Sequence, residues 1–467
     1  MSRLIREPAQ AGSVAPAAGG WFSIFRPAPP ATLMISDPAE VAASYRLWRL
    51  RVLVFSTFGY AMFYFVRKNL PIAMPLMGKE LGLDTEGLGL FLTLQGVVYG
   101  VSKFANGFLA DRANARVFMS MALLMSALLN LAFGFTSVVV ALGIIWMVNG
   151  WFQGMGFPPC ARLIANWFPP KQLASRFSIW NSSHNLGSIL IVLLCGFLVS
   201  GKYFAPNWRL CFIVPAMLAL SAAVLLWRML ADTPPAVGLP EVEGTAEGEA
   251  RESEQVFAAF VRKKVFSNKY IWLLASANFF VYAMRYAVFD WSATLLTEAK
   301  HIKLMHAAWM IAGFEAFGLL GALLGGWLTD RFLGGRAARA CVVYMALAGV
   351  SVLLFWRIPA QSELLTTGLL CATGFFVYGP QCLLAIACAN LATKRAAATA
   401  VGLTSIFGYA STVLSGWGLG KLIKLYGWDA GFSLLLASAV AGTLLFALVW
   451  PAKADGYTRS HNAAEAA

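Results

Sequence analysis

Between residues 52 and 450 the chain alternates apolar stretches of about 20 residues with short polar breaks, and each stretch is long enough to cross a bilayer as an α-helix. The pattern predicts twelve spans: 52–76, 88–110, 117–136, 139–161, 178–200, 210–230, 270–296, 307–330, 339–356, 364–390, 398–420 and 430–450. Residues 1–43, rich in Ala, Pro, Gly and Ser and without a signal-peptide core, read as a mobile cytoplasmic tail. The only long polar segment, 231–269, opens with Asp232-Thr233-Pro234-Pro235 and continues through an acidic run including Glu241 and Glu254. It closes with Arg262-Lys263-Lys264 and reads as a linker. The predicted organisation is a tail (1–43), an N-terminal six-helix bundle (44–230), a cytoplasmic linker (231–269), a C-terminal six-helix bundle (270–452) and a second tail (453–467).

Composition narrows the class. Of the 467 residues 59% are hydrophobic and 12% charged, and the mean hydropathy is +0.67. A soluble chain carries about 25% charged residues, so a soluble enzyme, a secreted disulfide scaffold and a disordered chain are excluded. The formal charge of +14 would suggest nucleic acid in a soluble protein, but here Lys and Arg gather in short loops beside lipid. No nucleic-acid partner is expected. The seven cysteines show no CxxC spacing and the four histidines are scattered, so neither metal nor cofactor is expected. Basic residues divide almost evenly between the two sets of loops. Arg46, Arg49 and Arg51 before span one, with the basic end of the linker, place both termini in the cytoplasm.

The two halves echo each other. Gly107-Phe108-Leu109-Ala110-Asp111-Arg112 returns as Gly326-Trp327-Leu328-Thr329-Asp330-Arg331, at an offset of 219. Tyr64-Phe65-Val66-Arg67 returns as Tyr282-Ala283-Met284-Arg285, at an offset of 218. Halves that start on the same side form a parallel repeat about an axis along the membrane normal, and substrate sites in such folds lie at the repeat interface near the midplane. The expected fold is therefore an all-α membrane protein, twelve helices in two pseudo-symmetric bundles.

Few ionisable side chains fall near the middle of the spans: Arg67, Lys68, Lys103, His184, Arg285, Asp290 and Glu315. Each needs a partner or a wet cavity. Tyr60, Tyr64 and Arg67 share one helical face, and Asn278, Tyr282 and Arg285 repeat it. The repeat axis would aim the two guanidiniums at each other, and a planar guanidinium fork fits phosphate oxygens bidentately. A phosphate clamp is the sharper expectation; snorkelling, or pairing with Asp290 or Glu315, is the plainer one. Gln95, Tyr99 and Lys103 form a second stripe, and Asn181, His184 and Ser188 a third. His184 could donate to a phosphate oxygen, titrate with the substrate, or simply pack. Tyr378 and Tyr409 would bring hydroxyls from the second half. Lys68 opposite Asp290 and Glu315 could form a bridge that exists in one domain orientation only, although Asp290 could also act as a local cap. Asp111-Arg112 with Arg116, and Asp330-Arg331 with Arg336, read as latches between helix ends.

The chain resembles the organophosphate:phosphate antiporters of the major facilitator superfamily. The resemblance rests on Phe58-Gly59-Tyr60, Val66-Arg67-Lys68-Asn69, Tyr99 to Phe104, Trp151 to Arg162, Trp180-Asn181 with His184-Asn185-Leu186-Gly187, Phe280-Val281-Tyr282 with Arg285-Tyr286, Asp290-Trp291-Ser292 and Phe407-Gly408-Tyr409. It implies that Arg67 and Arg285 bind phosphate, that His184 and Lys103 contribute, and that Lys68 pairs with Asp290 or Glu315. Spans four, seven and eleven look closest to glycerol-3-phosphate transporters, and spans one and two equally to hexose-phosphate transporters and sensors. Phe157 stands where the first branch has Trp, and Val401 and Thr404 where the second has Asp and Lys.

The expected function is exchange of an external phosphate ester for internal inorganic phosphate, by a monomer in a bacterial cytoplasmic (inner) membrane. The alternatives are a sugar-phosphate sensor that signals to a partner histidine kinase, and a proton-coupled symporter for a neutral sugar using Asp290 or Glu315.

Overall fold

The computed structural model describes residues 25–110, 112–201, 205–242, 259–359 and 362–452. Asp111, most of the acidic run of the linker and both chain ends lie outside these residues. The first half contains α1 (Pro38–Phe65), α2 (Leu70–Leu81), α3 (Thr85–Ala110), α4 (Ala115–Phe135), α5 (Val139–Gly154), α6 (Phe157–Trp167), α7 (Pro170–Asn181), α8 (Ser183–Val199) and α9 (Leu210–Met229). The second contains α10 (Lys269–Glu298), α11 (Leu304–Phe332), α12 (Ala337–Arg357), α13 (Glu363–Ala410), α14 (Leu419–Tyr426) and α15 (Trp428–Val449). Successive spans alternate in direction. One end of the bundle, the terminal face, carries the start of α1 and the end of α15; the opposite end is the far face.

Eleven helices among the described residues are long and apolar enough to cross a membrane. Large apolar side chains such as Val140, Ile144, Val440 and Leu444 are exposed on the outside. Lipid, not water, is the medium they suit, which is why these helices lack the polar stripe of a soluble bundle.

Three predicted spans are broken. Span one stops at Phe65 and restarts at Leu70, where Pro71 occupies the first turn of α2 and needs no hydrogen bond there. Span four restarts at Phe157, ahead of Pro158 and Pro159, and span five is interrupted at Ser182. Spans ten and eleven differ in the other direction, because one helical run, α13, covers span ten and the first part of span eleven. A straight rod of 48 residues would measure about 72 Å. Tyr378 nevertheless bonds Arg285, and the ring of Tyr409 meets that of Tyr282 one turn away, so the run doubles back between them. Span eleven, predicted over 398–420, is not among the eleven. Its apolar helix is interrupted by the wider turn Leu414–Gly418 before α14, yet it follows α3 closely.

Residues 25–36 are not the free tail the composition suggests. Asn114 donates to the Phe25 carbonyl, Ala31 to that of Pro235 and Ile35 to that of Gly238. The start of the linker is equally tied down: the buried Asp232 carboxylate accepts from the Ala28 and Ala115 amides and lies 3.6 Å from Arg162.

The halves meet from the far face inward. Lys424 bridges Asp84 and Glu86 at 2.8 and 2.9 Å. The ammonium holds the Asp84 carboxyl below its ordinary range, so this exposed latch persists at neutral pH and, on the acid side, loosens as pH falls through that lowered value. Deeper, Thr85 donates to the Gly420 carbonyl, and Thr93 donates to that of Thr412 while accepting from the Trp417 amide. Among the described residues, the hydrogen bonds between halves reach no nearer the terminal face than Lys103 to Tyr409. The contacts that close the molecule are thus gathered toward its far face.

Glycine makes that closure possible. A Cβ on Gly89 would lie 2.4 Å from the Gly416 carbonyl oxygen, and one on Gly420 2.2 Å from that of Thr85. Both obstacles are backbone and cannot turn aside. Gly89→Val is therefore expected to hold α3 and α14 apart, read as a longer distance between spin labels at Gly87 and Lys421. An unchanged distance would show that the seam does not need the glycine.

Candidate functional site

A cavity of about 170 Å³ lies between the halves at mid-depth. Arg67, Lys68, Lys103 and Arg285 line it, together with one carboxylate, Asp290. Tyr60, Tyr64, Tyr99, Tyr282, Tyr409 and His184 complete much of the wall.

Arg67 sits in the broken turn between α1 and α2. The break frees main-chain carbonyls inside the membrane, and buried amides from other spans satisfy that of Val66: Asn130 Nδ2 at 2.9 Å from α4 and Asn149 Nδ2 at 3.0 Å from α5. Asn69 closes the cluster, donating to Asn130 and to the Cys211 carbonyl. This cluster holds Arg67 toward the cavity and Lys68 toward the second half. Asn149→Leu removes one of these donors, and is expected to cost about 1–3 kcal/mol. The measurement is a lower melting temperature in detergent together with weaker phosphate binding; a variant that matches wild type in both would show that the break holds without it.

The two guanidiniums have different surroundings. That of Arg67 lies over the rings of Tyr64 and Tyr99, at 4.0 and 4.7 Å, and its Nε has no partner. Arg285 donates from Nη2 to the Tyr378 hydroxyl at 2.9 Å and lies 4.4 Å over that ring. Tyr378 in turn donates to Glu315 Oε1, and Asn185 Nδ2 reaches across from the first half to Glu315 Oε2 at 3.1 Å. Tyr378 and Glu315 thus stand behind Arg285, outside the cavity lining. Among the described residues, neither arginine makes an ion pair with a carboxylate.

Lys68 selects Asp290 of the two carboxylates left open by spacing, at 2.7 Å, with Tyr286 and Phe289 beneath the ammonium. Lys103 pairs with no carboxylate among the described residues; it donates to the Tyr409 hydroxyl at 3.1 Å and lies 4.3 Å over Phe157. His184 Nδ1 faces the Asn181 carbonyl, and its ring leans on Tyr64. A carbonyl only accepts, so Nδ1 carries the proton and the neutral ring offers a lone pair at Nε2. In that form His184 does not donate to a phosphate oxygen from Nε2.

Other expected residues fall elsewhere. Asn278 donates to the Thr404 carbonyl and Ser188 is buried away from the lining. Arg112, Asp330 and Arg331 are exposed and make no ion pair among the described residues, and Asp111 lies outside those residues. The lining adds Tyr286, Gln381, Thr412 and Phe157. Tyr286 follows Tyr282 by four and was legible from spacing. Gln381 and Thr412 are neutral and escape a search for intramembrane charge.

Membrane-crossing helices that close at one end around a charged cavity have the architecture of a solute transporter, and among the described residues three of the four cations lining this cavity lack a carboxylate partner. Residues 56–416 match the model of the Major Facilitator Superfamily, and the chain belongs to that family. It is 36% identical over 448 residues to a "Probable hexose phosphate transport protein" of Chlamydia pneumoniae, covering 92% of this chain and 97% of that one. It is 36% identical over 440 residues to a "Glycerol-3-phosphate transporter" of Bacillus subtilis strain 168, covering 92% and 98%. It is 35% identical over 428 residues to the "Membrane sensor protein UhpC" of Salmonella typhimurium, covering 90% and 96%. Among solved structures, a bacterial homologue of the human lysosomal transporter Spinster, inward-facing and unoccupied, shares the fold. The TM-score is 0.68 at 16% identity, covering 89% of this chain and 97% of that one.

Proposed function

We propose that this protein exchanges an external phosphate monoester for internal inorganic phosphate by alternating access. The observation that carries the reading is the convergence of Arg67, Arg285 and Lys103 on one cavity with, among the described residues, no carboxylate paired with any of them. Like charges in a low-dielectric space repel, and a dianion between them removes that cost. The naming of similar proteins as hexose phosphate and glycerol-3-phosphate carriers supports the same chemistry.

On this reading the terminal face is cytoplasmic, the conformation described is open to the cytoplasm, and the chain works as a monomer in the bacterial cytoplasmic membrane. Phosphate entering from that side draws the halves together around the arginines, and the Lys68–Asp290 pair must part for the far face to open. The empty carrier would have to close on unneutralised cations, so it reorients slowly, and that difference makes the cycle an exchange. Counterflow of labelled phosphate in proteoliposomes, against glycerol 3-phosphate, hexose 6-phosphates and phosphoglycerates, tests the proposal; absence of phosphate self-exchange refutes it.

The 35% identity to a membrane sensor supports a second reading, in which the chain binds a sugar phosphate and signals to a histidine kinase. Tight ligand binding with little flux in the same vesicles would favour it.

A further inference from the structure

We propose that the terminal face carries two pseudo-symmetric sites for the phosphate headgroups of anionic phospholipids, one on each half: Arg116 with Arg51, and Arg339 with Lys269. Both lie on the outer wall, away from the cavity, and the inference stands whatever the cavity carries.

Arg116 lies in the first turn of α4, and its guanidinium sits 5.5 Å over the ring of Trp227, two residues before the end of α9. Arg339 lies in the first turn of α12, 5.1 Å over the ring of Trp450, which caps α15. The two pairs are related by one offset, 223, so both halves carry the same unit at the same end. In each half the helix bearing the tryptophan packs against the first span as well, α9 against α1 and α15 against α10. That span adds a second cation: Arg51 of α1, whose Nη2 reaches the Met229 sulfur at 3.3 Å, and Lys269 at the start of α10. These repeat at an offset of 218, that of Tyr64 and Tyr282 in the same two spans.

Depth and chemistry point to one occupant. Trp227 and Trp450 are 37% and 44% exposed, and Val224 and Ala447, one turn before them, are exposed too. A tryptophan at the end of an apolar span sits at headgroup level, where acyl chains cover the apolar wall beside it. Both arginines are partly buried, and the Nε of each is buried without an acceptor. Among the described residues, no carboxylate pairs with Arg51, Arg116, Lys269 or Arg339. A thioether is a weak acceptor, so Met229 leaves the Arg51 charge unanswered. Cations with unmet donors at the edge of a bilayer suit a group that only accepts and is negatively charged, which describes the phosphate of an anionic lipid. A zwitterionic lipid would bring its own ammonium among these cations and is disfavoured.

Native mass spectrometry of the full chain in detergent, with phosphatidylglycerol added, provides the test. Wild type is expected to retain two phosphatidylglycerol molecules, each bound about tenfold or more tightly than phosphatidylcholine. Arg116→Gln and Arg339→Gln should each weaken one of the two by about tenfold, and the double variant both. Excess inorganic phosphate should leave the lipid count unchanged; displacement of the lipid would assign these sites to the free anion and overturn the proposal. Equal retention of phosphatidylcholine by wild type, which needs no variant, also overturns it, as does undiminished retention in the double variant.

Discussion

Arg67→Lys and Arg285→Lys are each expected to lower phosphate self-exchange in proteoliposomes by about 10- to 100-fold. Lysine keeps the charge, so the prediction isolates geometry. A guanidinium presents a rigid fork that engages two phosphate oxygens at once, whereas an ammonium is a point charge on a flexible stem. A hydrogen bond to a charged group contributes about 1.5–3 kcal/mol, and each 1.4 kcal/mol is roughly a factor of ten. The two sites should differ in kind. Arg285 is held from behind by Tyr378, itself bonded to Glu315, so Arg285→Lys also releases a buried chain that ends on Asn185 in the other half. Arg67 lies instead over the faces of Tyr64 and Tyr99. Melting temperatures in detergent separate this effect from unfolding. Near-normal exchange in both stable variants would remove the clamp.

Asp290→Asn is expected to destabilise the closed far face by about 3–5 kcal/mol, because it leaves Lys68 as a buried charge without a partner. The two side chains are only 12% and 11% exposed, which places the pair with buried bridges and not with the weak surface kind. The lower end of that range shifts a two-state equilibrium about 100-fold, enough to move the carrier away from the state with its far face closed. Lys68→Met combined with Asp290→Asn removes both charges and should restore most of the closure, since a neutral pair carries no unmet charge. Distances between spin labels on the far ends of α2 and α10 report the result. If the single variant stays as closed as wild type, the pair is no gate.

Much of the site could be read from the chain because charge inside an apolar run is conspicuous. Arg67 and Arg285 stood out for that reason, and the matched spacing of Tyr64 and Tyr282 tied them to equivalent places in two halves. The stripe Gln95, Tyr99, Lys103 faces the cavity as its helical period required. The break in span one was less legible. Pro71 hints at it, but the turn that presents Arg67 depends on amides of Asn130 and Asn149, which lie on other helices. Tyr378 was expected in the lining and instead stands behind Arg285, a difference of depth that no periodicity encodes.

Hydrophobic period and composition were sufficient for the membrane class, the order of the helices, the repeat and the short roster of intramembrane charges, because those properties belong to neighbours along the chain. Which carboxylate Lys68 takes and which cations keep no counter-charge were settled by packing. They depend on distances between groups as far apart in sequence as Lys68 and Asp290, 222 residues, and only the folded arrangement of the helices determines such distances.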